Sequence, residues 1–446
     1  MSTGPPSWWA APAAPGPVDA TVRIPGSKSL TNRWLVLALL ADGPGSLTQP
    51  LRSRDSERMV AALRALGAEV DDTDAARWLI RPPTGGLRGG TDIDCGQAGT
   101  VMRFVPPVAA LADGPVRFDG HPSARTRPVG PVLDGMRALG ARVEEEGAGT
   151  LPFVVDGGVR GAAGPDVGSV PEVRIDASAS SQFVSALLLA GAAYPRGMLL
   201  QHVGEVLPSV PHIEMTLDVL RTAGVRVDRP TPSSWRVHPG AVQAVDAVVE
   251  PDLSSAAPFV ALAAATGGRV VVPGWPERTT QPGMRMREIL AAMGARTELT
   301  ERGLEAHGRA DGSLDGVDLD LSEVGELTPV VAALCALATS PSRLSGIGHL
   351  RGHETDRLAA LRTELERLGA GARERPDGLE VHPGPLHGAR CRTYHDHRMA
   401  MFAAVVGSRV DGVEVEDVAT ADKTFPGFDA AWERAVATAV PSPVVR

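Results

Sequence analysis

The sequence predicts an α/β protein of two domains, built from six copies of a βαβαββ unit with the last copy truncated. Helices that end on glycine recur along the chain, and buried Ala- and Leu-rich helices alternate with them. The units start about 70–80 residues apart, which is the scale of a repeated supersecondary structure. A chain of 446 residues is also longer than a domain with a single hydrophobic core normally is.

The first pattern is a helix end: an apolar residue, three further residues, a glycine and a small residue, then an extended run. Its five copies are LRALGAEV from Leu63, MRALGARV from Met136, LRTAGVRV from Leu220, LAAMGART from Leu290 and LERLGAGA from Leu365. Glycine suits the left-handed position that stops a helix. A polar turn and a second extended run follow each copy, so the pattern predicts a helix followed by two strands.

The second pattern is an apolar helix that opens on a polar segment. Its copies are SLTNRWLVLALLA, AGTVMRFVPPVAALA, SSQFVSALLLAGA, LSSAAPFVALAAA, ELTPVVAALCALA and DHRMAMFAAVVG. Because these helices are apolar nearly all round, we expect them to be buried, three in each domain. The crossing between the domains is predicted near residues 244–249. Six unrelated amphipathic segments are the alternative, which the regular alternation of the two patterns disfavours.

The composition is that of an ordinary water-soluble protein, with 43% hydrophobic and 22% charged residues. No apolar run approaches the roughly 20 residues that cross a bilayer. The Pro- and Ala-rich stretch Met1–Val18 lacks the basic and apolar regions of a signal peptide, so we expect a disordered leader. Cys95, Cys335 and Cys391 lack metal-ligand spacing and are odd in number, which favours a cytoplasmic protein.

The net charge of −9 argues against general binding of nucleic acid, so any anionic ligand requires a local cluster of Lys and Arg. The openings of the six buried helices are the candidate positions. A helix N-terminus presents unpaired N–H groups and a partial positive charge, which suit phosphate and carboxylate. We therefore expect several openings to converge on a cleft between the two domains.

The first opening, PGSKSLTNR, places Lys28 and Arg33 on either side of Ser29. Ser29 or Thr31 could instead be a simple helix cap. Two cations within about one turn of a buried helix favour anion binding.

The second opening, GQAGTVMR, contains Gly99, which lets a ligand approach the backbone closely. A plain loop-to-helix turn is the alternative. Arg125 and Arg127 follow in HPSARTRP, and at least one of them is expected to bind a carboxylate or phosphate in a bidentate fork. Either could also be a solvated surface charge.

The third opening, DASASSQF, offers hydroxyl, amide and backbone donors from Ser180, Ser181 and Gln182. A capping role needs only one of them. Farther along, LPSVPH places Ser209 and His212 before another helix.

Two carboxylates also lie near helix starts. Glu326 in GELTPV is expected to act as a general base, with an ordinary cap as the alternative. Glu354 and Arg357 lie three residues apart and share a helix face, where a plain salt bridge is the alternative. His349 and His353 have loose zinc spacing, but no third ligand stands out, so no metal site is predicted.

Arg398 in the sixth opening and Lys423 in DKTFP add two more cations. The candidate site thus consists of cations, hydroxyls and two carboxylates. That set suits electrostatic and acid–base work on anions rather than covalent or metal chemistry.

The motifs PGSKSLTNR, AGTVMR, SSQF, HETDRL, DHRMAM and KTFP, taken in order, resemble those of the 5-enolpyruvylshikimate-3-phosphate synthases. The resemblance runs from about Pro25 to Phe428. It implies two inverted, barrel-like α/β domains of three repeats each, joined by two hinge strands. The implied division is a disordered leader at 1–16, an N-terminal domain at 27–245, a C-terminal domain at 17–26 plus 246–437, and a flexible tail at 438–446.

The resemblance implies transfer of the enolpyruvyl group of phosphoenolpyruvate to the 5-hydroxyl of shikimate 3-phosphate in the shikimate pathway, with no cofactor or metal. Shikimate 3-phosphate is then expected to contact Lys28, Ser29, Arg33, Ser180, Ser181, Gln182, Ser209, Glu326 and His353. Phosphoenolpyruvate is expected to contact Lys28, Gly99, Arg127, Gln182, Arg357, Arg398 and Lys423. Glu354 resembles the proton donor to C3 and Glu326 the base on the hydroxyl, with Lys28 as a third catalytic group.

Five positions depart from the pattern common in that family. They are Glu326 for Asp, His353 for Lys, His349 for Asn, Gln97 for Asn and Phe104 for Pro. A titratable charge thus replaces a permanent one at position 353. The departures affect the expected geometry of the phosphoenolpyruvate site more than the expected reaction.

Two other functions are the alternatives. The UDP-N-acetylglucosamine enolpyruvyl transferases carry a reactive cysteine after their NAGT-like segment, but residues 103–127 contain none and Cys95 precedes Gly99. A non-catalytic binding protein would lose a carboxylate, whereas Glu326 and Glu354 are both present. We therefore expect a cytoplasmic, monomeric enzyme that binds neither nucleic acid nor membrane.

Overall fold

The computed structural model describes residues 7–147, 149–157 and 169–440. The chain divides into two compact units: a continuous unit, Gly26–Val249, and a divided unit, Met1–Pro25 with Glu250–Arg446. The sequence places the two crossings at 26/27 and 245/246, and in the structure they lie at 25/26 and 249/250. The structure shifts the second one because strand Asp246–Val248 pairs with a strand of the continuous unit. No helix of the described residues is both long and apolar enough to cross a membrane.

The chain begins with two short strands, β1 (Trp8–Ala10) and β2 (Asp19–Thr21), which belong to the divided unit. The expected disordered leader at 1–16 is therefore wrong for residues 7–16. Indole side chains fix this segment, since Trp9 Nε1 donates to Glu433 at 2.8 Å and the Arg390 guanidinium lies 5.2 Å from the Trp8 ring. Residues 1–6, and residues 441–446 of the expected flexible tail, lie outside the described residues.

The continuous unit contains three repeats, each with the predicted order of strands and helices. The first comprises α1 (Lys28–Leu40), β3 (Gly45–Thr48), α2 (Arg54–Ala65), β4 (Glu69–Asp71) and β5 (Arg77–Arg81). The second comprises β6 (Thr91–Asp94), α3 (Gly99–Ala109), β7 (Pro115–Asp119), α4 (Gly130–Ala138), β8 (Arg142–Glu145) and β9 (Phe153–Asp156). The third comprises β10 (Glu172–Ile175), α5 (Gln182–Gly191), β11 (Met198–His202), α6 (Val210–Thr222), β12 (Val227–Thr231) and β13 (Ser234–Val237), followed by β14 (Asp246–Val248).

The divided unit repeats the same order. Its first repeat continues with α7 (Leu253–Thr266), β15 (Arg269–Val272), α8 (Met286–Ala292), β16 (Arg296–Thr300) and β17 (Gly303–His307). The next comprises β18 (Asp318–Asp320), α9 (Thr328–Ala336), β19 (Ser342–Ser345), α10 (Arg357–Arg367), β20 (Gly371–Arg375) and β21 (Gly378–His382). The last comprises β22 (Arg390–Cys391), α11 (His397–Gly407), β23 (Glu414–Glu416) and α12 (Phe428–Val436), and is truncated as predicted.

Each repeat forms a sheet with one parallel pair and otherwise antiparallel neighbours. The strand orders are β14-β3-β5-β4, β6-β7-β9-β8 and β10-β11-β13-β12 in the continuous unit, and β2-β15-β17-β16, β18-β19-β21-β20 and β22-β23-β1 in the divided unit. The N-terminal strand β1 pairs antiparallel with β23 and so occupies the position of the last strand in the truncated repeat. Likewise β2 supplies the first strand beside β15, and β14 the first strand beside β3.

Three Ala- and Leu-rich helices lie buried together in each unit, as predicted. Helices α1, α3 and α5 contact one another in the continuous unit, as do α7, α9 and α11 in the divided unit. Every residue of α3, α7, α9 and α11 is buried. The five glycines of the first sequence pattern all have positive φ, between 74° and 102°, which confirms them as helix stops: Gly67, Gly140, Gly224, Gly294 and Gly369.

Candidate active site

In the divided unit, the starts of α7, α9 and α11 meet through one serine. The Ser254 hydroxyl donates to Oε1 of Glu326, in the short 3₁₀ turn that precedes α9. The Ser254 carbonyl accepts from Nη1 of Arg398, the second residue of α11, at 2.7 Å. Two residues predicted for the site, 72 and 144 positions away along the chain, are thus held at one place.

Glu354 is paired with two cations at once. Lys423 Nζ lies 2.8 Å from its Oε1, and Arg357 Nη2 lies 3.1 Å from its Oε2. The Glu354 and Lys423 side chains are only 16% and 10% exposed, so water screens this pair weakly. The structure therefore joins three predicted site residues from two motifs, HETDRL and KTFP.

Arg357 is the centre of this cluster. Its Nε and Nη2 donate to the two carboxylate oxygens of Asp396 at 2.7 and 3.2 Å, and its Nη1 lies 3.2 Å from Nδ1 of His353. Burial by itself would lower the pKa of Arg357, but the carboxylates of Asp396, Glu354 and Glu326 outweigh burial and raise the pKa. Arg357 is thus a permanent positive charge inside the protein.

Asp396 was not among the residues that the sequence predicted. It caps α11 by accepting from the Arg398 N–H at 2.8 Å while it holds Arg357. Its position directly before DHRMAM's histidine was a signal for a helix cap, but nothing in the sequence linked it to an arginine 39 positions away.

The backbone before Asp396 is strained. Tyr394 and His395 are consecutive non-glycine residues with φ values of 55° and 59°. The Tyr394 hydroxyl donates to Oε1 of Glu364 at 2.6 Å, and Glu364 is fully buried. Burial, with the Glu364 charge, raises the pKa of Tyr394 to about 12, so the phenol keeps its proton and remains a donor.

In the continuous unit, Lys28 begins α1, and its Nζ lies 3.6 Å from Oδ2 of Asp55. The helix cap is Ser27, whose side chain accepts from the Leu30 N–H. The simple-cap alternative for Ser29 and Thr31 is therefore wrong; Thr31 Oγ1 instead accepts from the Leu51 N–H at 3.0 Å.

Arg33 is almost completely buried, with 1% exposure, and ties α1 to α6. Its Nε donates to Thr216 Oγ1 at 2.8 Å, and its Nη2 donates to the His212 carbonyl at 2.9 Å. Its Nη1 donates to the Ser29 carbonyl at 2.9 Å. The expected contact between Arg33 and shikimate 3-phosphate stays a prediction.

The two arginines that follow the second opening have different partners. Arg125 donates to both carboxylate oxygens of Asp119 at 3.0 and 2.9 Å and is a surface ion pair. Arg127 donates to the Gln97 carbonyl at 3.1 Å, and a Cβ on Gly99 would lie 2.6 Å from its Nη2. The sequence did not decide which of the two arginines binds a ligand and which is a surface charge. The structure places Arg127 beside Gly99.

Gln182, the first residue of α5, is held by a residue to which the sequence assigned no role. Arg103 Nη1 donates to Oε1 of Gln182 at 2.7 Å, while Arg103 Nε and Nη2 donate to the Pro128 carbonyl at 3.3 and 3.1 Å. The arginine thus fixes the amide of Gln182 and the backbone next to Arg127. Arg103 lies in the quoted AGTVMR motif, so its place on a buried helix was an available signal.

The remaining predicted hydroxyls also lie at helix starts. Ser181 precedes α5 and Ser209 precedes α6, and neither side chain accepts a capping hydrogen bond. Ser209 has a left-handed φ of 53°. Ser180 Oγ accepts from the Gln182 N–H at 3.3 Å.

Cys95 is buried, and burial, with the charges of Asp94 and Asp119, raises its pKa far above the ordinary value. A thiol in that state is a poor nucleophile. This disfavours the reactive-cysteine rival.

Comparison with known proteins identifies the family. A family model described as EPSP synthase (3-phosphoshikimate 1-carboxyvinyltransferase) matches residues 12–432. A 3-phosphoshikimate 1-carboxyvinyltransferase of Kocuria rhizophila is 54% identical over 440 residues, which is 96% of each chain.

Solved structures show the same fold. An EPSP synthase from Acinetobacter baumannii aligns with a TM-score of 0.77 at 23% identity, over 96% of this chain and 98% of that one. The enolpyruvyl transferase NikO from Streptomyces tendae aligns with a TM-score of 0.71 at 17% identity, over 97% of this chain and 98% of that one. These likenesses confirm the predicted α/β fold of repeated βαβαββ units. The chain belongs to the EPSP synthase family, whose members transfer the enolpyruvyl group of phosphoenolpyruvate to shikimate 3-phosphate in the shikimate pathway.

Proposed function

We propose that the helix starts described above hold the two substrates of this reaction. Shikimate 3-phosphate contacts Lys28, Ser29, Arg33, Ser180, Ser181, Gln182, Ser209, Glu326 and His353. Phosphoenolpyruvate contacts Lys28, Gly99, Arg127, Gln182, Arg357, Arg398 and Lys423. Convergent cations, hydroxyls and helix N-termini within each unit support the assignment, because both substrates are anions.

In the reaction, the 5-hydroxyl oxygen attacks C2 of phosphoenolpyruvate and its proton passes to Glu326. C3 gains a proton from Glu354, which produces a tetrahedral intermediate. The bond from C2 to the phosphate oxygen then breaks and phosphate leaves with the electron pair, while Glu354 takes a proton back from C3, which restores the alkene. Lys28 neutralises charge that develops on the substrates.

The observation that carries the proposal is the pairing of Glu354 with Lys423 and Arg357. Two positive neighbours favour the ionised carboxylate, whereas a proton donor must be protonated. Both cations are assigned to phosphoenolpyruvate, so the arriving phosphate and carboxylate compete with Glu354 for them. As the cations turn to the substrate, Glu354 loses its counter-charges and its affinity for a proton rises. Substrate binding thus prepares the donor.

An assay of phosphate release tests the function. Release is expected when shikimate 3-phosphate and phosphoenolpyruvate are supplied together, and none with either alone. Release from phosphoenolpyruvate in the presence of UDP-N-acetylglucosamine in place of shikimate 3-phosphate would overturn the substrate assignment.

We further propose that the enzyme is a cytoplasmic monomer that binds neither nucleic acid nor membranes and needs no cofactor. The net charge of −9 supports the absence of nucleic-acid binding. Light scattering on the purified protein is expected to give the mass of one chain, and the mass of two would contradict the monomer.

A further inference from the structure

Ser254 makes two different contacts with residues assigned to the reaction. It is the second residue of α7 and is 5% exposed. Its hydroxyl donates to Oε1 of Glu326, and its backbone carbonyl accepts from Nη1 of Arg398. Ser254 lies in the helix opening LSSAAPFVALAAA, but the sequence assigned it no role.

The start of α7 is itself firmly placed. The Asp252 side chain caps the helix by accepting from the Ser255 N–H at 2.9 Å. Gln281 Oε1 accepts from the Leu253 N–H at 3.2 Å, and Gln281 Nε2 donates to Glu250 Oε2 and the Pro251 carbonyl. Ser254 is therefore a rigid donor, because the backbone on both sides of it is held.

Glu326 needs such a donor. A glutamate side chain loses rotamer freedom when it is held in one geometry, and its carboxylate lies one bond farther from the backbone than that of aspartate. The hydrogen bond from Ser254 occupies Oε1 and so limits the orientations that the carboxylate can adopt. A hydrogen bond donated to a carboxylate also favours its ionised form, which is the form that a base requires.

We propose that Ser254 is a positioning residue of the reaction: its hydroxyl orients the base Glu326, while its carbonyl orients Arg398. The proposal rests on the proposed role of Glu326. Through one residue, the base and a cation for phosphoenolpyruvate are set relative to each other within the divided unit.

Other charged groups also act on Glu326, and they remain when Ser254 is changed. The Arg357 guanidinium interacts electrostatically with its carboxylate. His349 lies beside Gly325, since a Cβ on that glycine would be 2.7 Å from the histidine Nε2. The pH profile of Ser254→Ala therefore reports the loss of the hydroxyl against a constant background.

The test compares Ser254→Ala with Ser255→Ala. Loss of the Ser254 hydroxyl is expected to lower kcat about tenfold. It is also expected to move the acidic limb of the kcat–pH profile to higher pH, because Glu326 then takes up its proton more readily. KM for phosphoenolpyruvate is expected to stay unchanged, since alanine keeps the carbonyl that holds Arg398.

Ser255 is the matched control: it is the next residue on α7, fully buried, with a hydroxyl that has no hydrogen-bond partner among the described residues.

Ser254→Thr, which retains a hydroxyl, is expected to recover most of the turnover and the original acidic limb. An unchanged acidic limb in Ser254→Ala, or an equal loss of kcat in Ser255→Ala, would overturn the proposal. Glu326→Gln distinguishes a failure of the base assignment from a failure of the role of Ser254. Near-normal turnover of that variant would refute the base itself, whereas an inactive Glu326→Gln beside an unaffected Ser254→Ala would refute only the role of the serine.

Discussion

At the scale of single residues, the cluster around Glu354 consists of opposite charges that compensate one another. Arg357 is shared between Glu354 and the buried Asp396, and Glu354 has Lys423 as a second counter-charge. Such an arrangement keeps the cations ordered before an anionic substrate arrives, which reduces the reorganisation that the reaction requires.

Replacing Glu354 by Gln is expected to reduce kcat about 100-fold or more, because the amide cannot deliver a proton to C3. Substrate affinity should persist, since Lys423 and Arg357 remain. Steady-state kinetics together with equilibrium binding separate the two effects. Glu366→Gln is the control: this carboxylate makes a surface ion pair with Arg362 and is expected to have no effect. Near-normal turnover of Glu354→Gln would refute its role as donor.

The competition for Lys423 and Arg357 predicts that phosphoenolpyruvate binding takes up protons. The carboxylate of Glu354 gains proton affinity when its two counter-charges turn to the substrate, so binding should strengthen as the pH falls. Calorimetric titrations in buffers of different ionisation enthalpy measure the number of protons taken up. The uptake should vanish in Glu354→Gln, and equal uptake in the two proteins would contradict the mechanism.

At the scale of secondary-structure elements, both kinds of helix terminus could be predicted, but their tertiary partners could not. The glycine stops and the six polar openings are local patterns, and all of them appear in the structure. The sequence did not predict the roles of Ser254, Arg103 and Asp396, because each contacts a residue of another helix far along the chain. Strand β1 was not predicted because a short Pro- and Ala-rich segment has no periodicity. Its pairing with β23 makes it a strand.

The start of α3 depends on the absence of a side chain at Gly99. A methyl group there would lie 2.6 Å from Nη2 of Arg127 and displace it. Gly99→Ala is therefore expected to raise KM for phosphoenolpyruvate about tenfold or more, while the fold stays intact by circular dichroism. Gly85→Ala is the control, because a Cβ at that position meets nothing within 4 Å. An unchanged KM in Gly99→Ala would remove Gly99 and Arg127 from the site.

The strained turn before α11 depends on Tyr394. Tyr394→Phe removes a donor to the buried Glu364 and is expected to lower the free energy of unfolding by about 2 kcal/mol. The chain's other tyrosine supplies the comparison, since Tyr194 donates to the neutral Pro107 carbonyl at 2.7 Å. Its loss in Tyr194→Phe is expected to cost about 1 kcal/mol. Urea denaturation measures both, and a smaller cost for Tyr394→Phe would contradict the importance of the charged acceptor.

At the scale of the whole molecule, the two units differ in how the chain supplies them. The continuous unit draws all its strands from Gly26–Val249, whereas the divided unit needs residues from both ends of the chain. The six Ala- and Leu-rich helices, which alternate with five glycine-ended ones, predicted the number of repeats. Which strand completes which sheet is a matter of topology and could not be read from local sequence.

A fragment comprising residues 26–249 is accordingly expected to fold by itself, with a cooperative urea transition. A fragment of residues 26–245 lacks β14 and leaves the edge of β3 unpaired, so its transition should occur at lower urea concentration. Equal transitions for the two fragments would show that β14 adds nothing to the stability of the continuous unit.

The division of the second unit also determines when its N-terminal strands can pair during synthesis. Asp19 in β2 pairs with Arg269, 250 positions later, and Trp9 in β1 bonds to Glu433, 424 positions later. At ordinary rates of translation, the earliest strands of the nascent chain wait on the order of tens of seconds for these partners. Meanwhile the continuous unit has emerged whole and can complete its own sheets. During synthesis, β1 and β2 are therefore made before the continuous unit but reach their native neighbours after it.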